Sequence, residues 1–167
     1  MPKFLAVAAL LLFAPALGMA QDATHPSRGQ AYLLFGVAKT NAEGRSFNTT
    51  MGFGGEGLIS GVVGVGAEAE LLSPVNMGAG SVDLSYHFVS TKRPSNLEPF
   101  AIGGLSIYFG ERRALYGGNL GCGLNSWVTK HVALRLEVRE NFGPGEEFRE
   151  TFGFTRLTAF RFGLAFR

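Results

Sequence analysis

The chain has 167 residues, 24 of them glycine and 15 phenylalanine, and a formal net charge of +2. The near-neutral charge and the lack of a basic run argue against a nucleic-acid-binding protein, and the single cysteine, Cys122, excludes an intrachain disulfide. Only four lysines beside this many glycines and phenylalanines is an unusual composition for a soluble domain.

The N-terminal segment is typical of a secretory signal peptide. Lys3 precedes an apolar run from Phe4 to Leu17, and Gly18-Met19-Ala20 supplies the small residues that a signal peptidase recognises. This run is too short for a retained membrane helix, and no later apolar run is long enough, so a membrane protein must here be a β-barrel. We predict a signal peptide over residues 1–20, a short periplasmic leader over 21–28 and one barrel domain over 29–167.

The remaining sequence falls into blocks separated by Gly, Pro, Asn or charged residues, a pattern of strands and turns. The clearest block, Val132 to Asn141, has apolar residues at alternate positions with Arg135, Glu137 and Arg139 between them. This period of two indicates a strand with one apolar and one polar face. The eight predicted strands are Gly29 to Lys39, Met51 to Ile59, Val63 to Leu72, Met77 to Phe88, Glu98 to Tyr108, Ala114 to Trp127, Val132 to Asn141 and Thr155 to Phe166.

The connections differ in length along the chain. The two longest outer loops, Thr40 to Thr50 and Phe142 to Phe154, follow odd-numbered strands, whereas the tight turns Ser60 to Val62 and Val128 to His131 follow even-numbered strands. Long outer loops and short inner turns are typical of outer-membrane barrels with both termini in the periplasm.

The tightest turn predicts the register of two strands. A two-residue turn at Ser60-Gly61 would place Phe53 opposite Glu68 on one face, which suits neither water nor lipid. A three-residue loop from Ser60 to Val62 pairs Phe53 with Ala69 and moves Glu68 to the other face. We therefore predict the three-residue loop.

The apolar face of these strands is predicted to meet lipid. The lysines after the signal, Lys39, Lys92 and Lys130, lie in turns or at a strand end, whereas soluble strands usually display lysine. The opposite face is rich in glycine, which suits the cramped interior of an eight-stranded barrel. An arginine on the lipid face would cost about 2–4 kcal/mol at mid-membrane, so the charged face is expected inside.

The inward charges divide by position along the chain. Acidic residues dominate strands two to four, and arginines lie on strands seven and eight, so the two sets face each other across a narrow lumen and can neutralise each other. We predict a lumenal ion-pair network of Glu56, Glu68, Glu70, Asp83, Arg135, Glu137, Arg139 and Arg161.

Strands one and five have no clear inner face in the sequence. In strand five, one hypothesis is a bulge at Gly103-Gly104 that switches Phe100 and Ile102 into phase with Leu105 and Ile107. Aromatic residues near strand ends are expected to form the girdles at the membrane surfaces; these are Tyr108, Phe109, Trp127, Phe142 and Phe154. The loop aromatics Phe47, Phe148 and Phe152 are expected to anchor at the interface or to contact a surface partner.

No residue pattern indicates catalysis. His25 lies in the leader, His131 in an inner turn and His87 near the inner end of strand four, so none is placed to reach outer-leaflet lipid. The glycines from Gly61 to Gly66 lie in a hairpin with no following helix, which excludes a dinucleotide-binding motif. We predict no catalytic residue, no metal site and no cofactor.

The signal peptide, the eight alternating strands, the inward Glu and Arg residues and the closing strand FRFGLAFR resemble the small bacterial outer-membrane β-barrel family that includes opacity-type proteins and the barrel domain of outer membrane protein A. The resemblance covers the chain after the signal. It implies an all-β, eight-stranded, antiparallel, up-and-down transmembrane barrel in the outer membrane of a Gram-negative bacterium. Its implied partners are outer-membrane lipid, the barrel-assembly machinery during insertion and an extracellular ligand at the outer loops, with no nucleic acid.

The expected role is structural or surface-interacting, and not enzymatic. Three alternatives stay open. A narrow channel would conduct small solutes or ions, a lipid-modifying barrel enzyme would need a catalytic group at the outer rim, and a secreted soluble barrel would hold a ligand in an apolar interior.

Overall fold

The structure is a computed structural model that describes residues 29–41, 47–59, 62–73, 77–89, 96–110, 113–143 and 145–167. The predicted signal peptide and leader, residues 1–28, lie outside the described residues, as do His25 and Lys92. Within these described ranges, no helix has the length and hydropathy needed to cross a bilayer.

Eight antiparallel strands follow one another around a closed barrel, and β8 pairs back with β1. The predicted fold class and up-and-down order are therefore confirmed. β2 begins three residues before its predicted start, and a short helix lies within the last outer loop, where no regular structure was predicted. The elements are β1 Gly29–Thr40, β2 Asn48–Leu58, β3 Val63–Ser73, β4 Met77–His87, β5 Leu97–Phe109, β6 Ala114–Trp127, β7 Val132–Phe142, α1 Glu146–Phe152 and β8 Arg156–Phe166.

The β2–β3 hairpin has the register that the three-residue loop predicts. Phe53 pairs with Ala69, and Gly54 pairs with Glu68. Glu68 is buried in the barrel, whereas the alternative register would have placed it on the same face as Phe53. The need to separate one carboxylate from one aromatic ring was enough to choose between the two turns.

The alternation in β7 separates the outside of the barrel from its interior. Leu134 and Leu136 are 53% and 57% exposed, whereas Arg135 between them is 0% exposed. Apolar side chains are likewise exposed on the outer faces of all seven remaining strands. Exposing so much apolar surface to water would be unfavourable, whereas contact with hydrocarbon is favourable. The closed barrel also satisfies the backbone hydrogen bonds, because it leaves no unpaired strand edge.

The bulge hypothesis for strand five is wrong. β5 pairs without interruption with β4 and β6 through Gly103 and Gly104, so Phe100 and Ile102 stay on the inner face. The interior accepts the Phe100 ring because Gly123 lies opposite: a Cβ atom on Gly123 would lie 2.3 Å from this ring. The alternation of residues within one strand gives no information about the space that a neighbouring strand leaves.

Three of the five predicted girdle aromatics instead point inward. Phe109 and Phe142 are exposed on the outer wall, as expected, but Tyr108, Trp127 and Phe154 are buried. Strand alternation explains Tyr108, since its neighbour Phe109 already occupies the outer face.

The three loop aromatics differ in how exposed they are. Phe47 is exposed, whereas Phe148 is buried and Phe152 packs against the same internal cluster. The surface role expected for Phe148 and Phe152 is therefore wrong. α1 turns these two side chains toward the barrel interior, and the sequence pattern did not predict that helix.

Replacing Leu136 with Arg is expected to reduce insertion, because residue 136 lies on the outer face near the middle of β7. The cost is about 2–4 kcal/mol at mid-membrane. The measurement is the folded fraction after insertion into lipid vesicles, scored by resistance to unfolding in detergent without heating. Val128→Arg, in the exposed inner turn, is the matched control and should fold normally. Equal folded fractions for the two variants would contradict the assigned outer face.

Candidate functional site

The interior of the barrel holds all eight residues that the sequence singled out. Each is at most 7% exposed. The structure joins seven of them by ion pairs across the middle of the lumen and places Glu56 in a second cluster. Below, the inner end is the one where β1 begins and β8 ends, and the outer end is the opposite one.

Arg139 joins three carboxylates in the central network. Its Nε donates to Glu137 Oε1 at 2.8 Å, its Nη1 donates to Asp83 Oδ2 at 3.2 Å, and its Nη2 lies 3.4 Å from Glu68 Oε2. These carboxylates come from β7, β4 and β3, so one guanidinium group connects strands on opposite sides of the barrel. Such charge-assisted contacts are among the strongest hydrogen bonds in proteins.

Arg161 from β8 makes a second bridge to two of these carboxylates and to Glu70. It donates to Glu68 and to Glu137, and its Nη1 lies 3.6 Å from Glu70 Oε1. The Thr50 hydroxyl in turn donates a hydrogen bond to Glu70. Glu68 thus faces two arginines and Glu137 faces three, which compensates for the burial of their charge.

Arg135 is the member of the central network nearest the inner end. Its Nε and Nη2 donate to Glu137 Oε2 at 3.2 and 2.9 Å. Its guanidinium carbon lies 4.3 Å from the ring centroid of Tyr32 and 4.0 Å from that of Phe100. Two aromatic faces therefore help to compensate for the buried cation.

A second cluster, at the inner end, is centred on His87. Its Nε2 lies 2.6 Å from Glu56 Oε1, and its Nδ1 lies 2.7 Å from Glu98 Oε1. Gln30 donates to Glu56 at 2.7 Å, and Trp127 Nε1 donates to Glu98 at 2.9 Å. All five side chains are buried.

Sequence reasoning missed Glu98 and Gln30 because strands one and five had no assigned inner face. The signal was nevertheless present. An uninterrupted alternation from Tyr108 back along β5 reaches Glu98 on the inner face. The hypothesis of a bulge at Gly103-Gly104, which put Phe100 and Ile102 in phase with Leu105 and Ile107, obscured this pattern.

The outer end of the lumen is filled by aromatic side chains, which we call the aromatic plug: Tyr108, Phe148, Phe152 and Phe154. The Phe148 ring centroid lies 5.2 Å from that of Tyr108 and 5.9 Å from that of Phe154. Phe148 is carried by α1 and reaches its place over Gly143, where a Cβ atom would lie 2.0 Å from the ring. Aromatic rings in edge-to-face contact pack favourably.

The interior therefore has three levels: the His87 cluster, the ion-pair network and the aromatic plug. Among the described residues, no group of three or more His, Cys, Asp or Glu is arranged to hold a metal ion. The buried carboxylates instead face arginine, histidine, amide or hydroxyl groups. This arrangement connects strands across the lumen and compensates for buried charge.

Comparisons with known proteins rest on structure. No protein-family model and no curated protein matches the sequence. The N-terminal β-barrel domain of OprF from Pseudomonas aeruginosa is 15% identical, with a TM-score of 0.60 over 82% of this chain and 96% of that one. The outer membrane protein OprG from Pseudomonas aeruginosa is 10% identical, with a TM-score of 0.55 over 83% and 94%.

A third similar structure is Ail, the attachment invasion locus protein of Yersinia pestis, in complex with the heparin analogue sucrose octasulfate. It is 10% identical, with a TM-score of 0.51 over 83% of this chain and 98% of that one. The identities are low, but each similarity extends over nearly the whole of the other barrel. The chain therefore has the fold of the small eight-stranded outer-membrane β-barrels.

Proposed function

We propose that the protein is exported by its N-terminal signal, is inserted by the barrel-assembly machinery and serves as a structural and surface-interacting barrel of the outer membrane. One observation carries this proposal: apolar side chains cover the outside of the barrel, while all the arginines and carboxylates of the strands except Glu140 and Arg156 are buried inside it. A soluble barrel needs the opposite arrangement. The apolar-lined ligand cavity of the soluble alternative is therefore not favoured.

The ion-pair network is proposed to stabilise the barrel rather than to catalyse a reaction. Its members are buried in mutual contact. The two described histidines do not favour the lipid-modifying enzyme, because His87 is buried near the inner end and His131 lies in an inner turn, 3.0 Å from the Arg167 carbonyl oxygen.

The outer loops are proposed to be the interaction surface. Phe47 and Arg113 are exposed at the outer end, where an extracellular ligand would first meet the protein. The structure of Ail with a heparin analogue supports this role, since it is a barrel of the same fold studied with a soluble ligand.

The first test of the proposal is gel migration of the protein from isolated outer membranes, with and without boiling. A folded barrel should migrate differently from the boiled chain, because its closed sheet resists detergent. Finding the protein only in the soluble periplasmic fraction, with no heat-dependent shift, would overturn the proposal.

Replacing Arg139 with Ala is expected to lower the free energy of unfolding by about 3–5 kcal/mol, because it leaves buried carboxylates without a partner. The measurement is urea-dependent unfolding in lipid vesicles. Arg113→Ala is the matched control, since its pair with Glu147 is exposed and contributes at most about 1 kcal/mol. Equal stability of the two variants would contradict a stabilising network.

The channel alternative predicts ion conductance, whereas the filled lumen predicts none. In planar lipid bilayers we expect no discrete current steps from the folded protein, because the network and the aromatic plug occupy the interior. Steady conductance that Arg135→Ala abolishes would instead support a selective pathway through the lumen and contradict the closed core.

A further inference from the structure

A groove of about 1180 Å³ opens on the outside of the barrel near its outer end; we call it the outer groove. Its floor includes Leu105, Tyr116 and Leu120 from β5 and β6. Its rim includes Arg149 from α1 and Arg156 from the start of β8. The groove is separate from the lumen, since its floor residues point away from the barrel axis.

The floor of the groove lies at the depth of the acyl chains. Leu105 and Tyr116 are each 77% exposed, and Leu120 is 65% exposed. Leu105 lies four residues before Phe109, the last residue of β5, which corresponds to roughly 10 Å of depth for a tilted strand. The floor is therefore continuous with the membrane-facing surface, so an acyl chain would occupy it more readily than a polar or protein ligand.

The rim presents two arginines at the level of the lipid headgroups. Within the part of the chain that the structure describes, Arg149 makes no side-chain hydrogen bond or ion pair. Arg156 is exposed, and its Nη1 lies 3.9 Å from Glu140 Oε1. The Arg149 guanidinium group is free to meet an anion, and the exposed Arg156 group can meet one beside Glu140; arginine is well suited to phosphate.

Two carboxylates also border the groove, and their positions matter to the charge of the rim. Glu140 faces outward from β7, where an ionisable side chain is costly without a partner. It accepts a hydrogen bond from Thr158 at 3.2 Å in addition to its contact with Arg156. Glu146, on α1, is the other. Glu140 is thus largely compensated within the protein. Among the described residues Arg149 and Glu146 have no ion pair, so Arg149 is the cation available to a phosphate, and Glu146 is the carboxylate with which the phosphate would compete.

We propose that the outer groove binds a phosphorylated lipid of the outer leaflet, with an acyl chain on the Leu105–Tyr116–Leu120 floor and a phosphate at Arg149 and Arg156. The proposal rests on the proposed outer-membrane location and adds a ligand class to it. A soluble polyanion would use the rim without the floor, whereas an uncharged lipid would use the floor without the rim. Only a lipid with a phosphate uses both.

The test is native mass spectrometry of the folded, signal-free protein in detergent with bis-phosphorylated lipid A as probe. We expect at least tenfold weaker binding of the same lipid after removal of its phosphates. The double variant Arg149→Gln/Arg156→Gln should lose about tenfold in affinity for the phosphorylated lipid, as expected for charge-assisted contacts. Tyr116→Ala should weaken the binding of both lipids.

Arg113→Gln is the matched control, because Arg113 is an exposed outer arginine that pairs with Glu147 at 2.9 Å and does not line the groove. It should bind as the unaltered protein does. Equal binding of the two lipids, unchanged binding by the double variant, or displacement of the lipid by an equal concentration of inorganic phosphate would overturn the lipid site. Each protein is first checked for the heat-dependent gel shift, so a folded outer-membrane barrel without lipid selectivity would refute this site alone.

Discussion

Hydrocarbon outside the barrel forces most of the charged strand residues into a lumen only a few side chains wide. Buried charges need partners close by, and Arg139 and Arg161 supply them by bridging carboxylates from three different strands. The other interior features follow from this crowding. Interior glycines leave room for large side chains: a Cβ atom on Gly54 would lie 2.7 Å from the Tyr32 hydroxyl.

The lumen is chemically asymmetric along its axis. Its inner end is polar, with His87 between two carboxylates, and its outer end is closed by aromatic rings carried partly by α1. This order suits a barrel whose outer end faces the cell exterior, because an apolar closure separates the ion pairs from the outer solution. Exposed polar side chains remain on the loops and rim, so the proposed recognition would use a different part of the molecule from the ion pairs of the interior.

Much of the fold was predictable because alternation is a strict geometric rule. In β7 and at the Ser60 to Val62 turn, a single charged residue on the wrong face would have been costly, so the pattern had one acceptable solution. The bulge hypothesis for strand five failed because the inner face of this strand carries Phe100, and the space for that ring comes from Gly123 on the neighbouring strand. The surface role expected for Phe148 failed for a related reason. Its ring lies inside because α1 carries it over Gly143, and this arrangement exists only in the folded loop.

The ion-pair partners are far apart in the sequence. Arg161 and Glu68 are 93 residues apart, and Arg139 and Asp83 are 56 apart. These contacts cannot form within any single hairpin, and those of Arg161 require β8 to be in place. An incomplete sheet surrounded by lipid would hold several charges without partners, at a cost of several kcal/mol each. Closure of the barrel and replacement of water by hydrocarbon must therefore be coupled, which makes biogenesis a cooperative step that depends on the last strand.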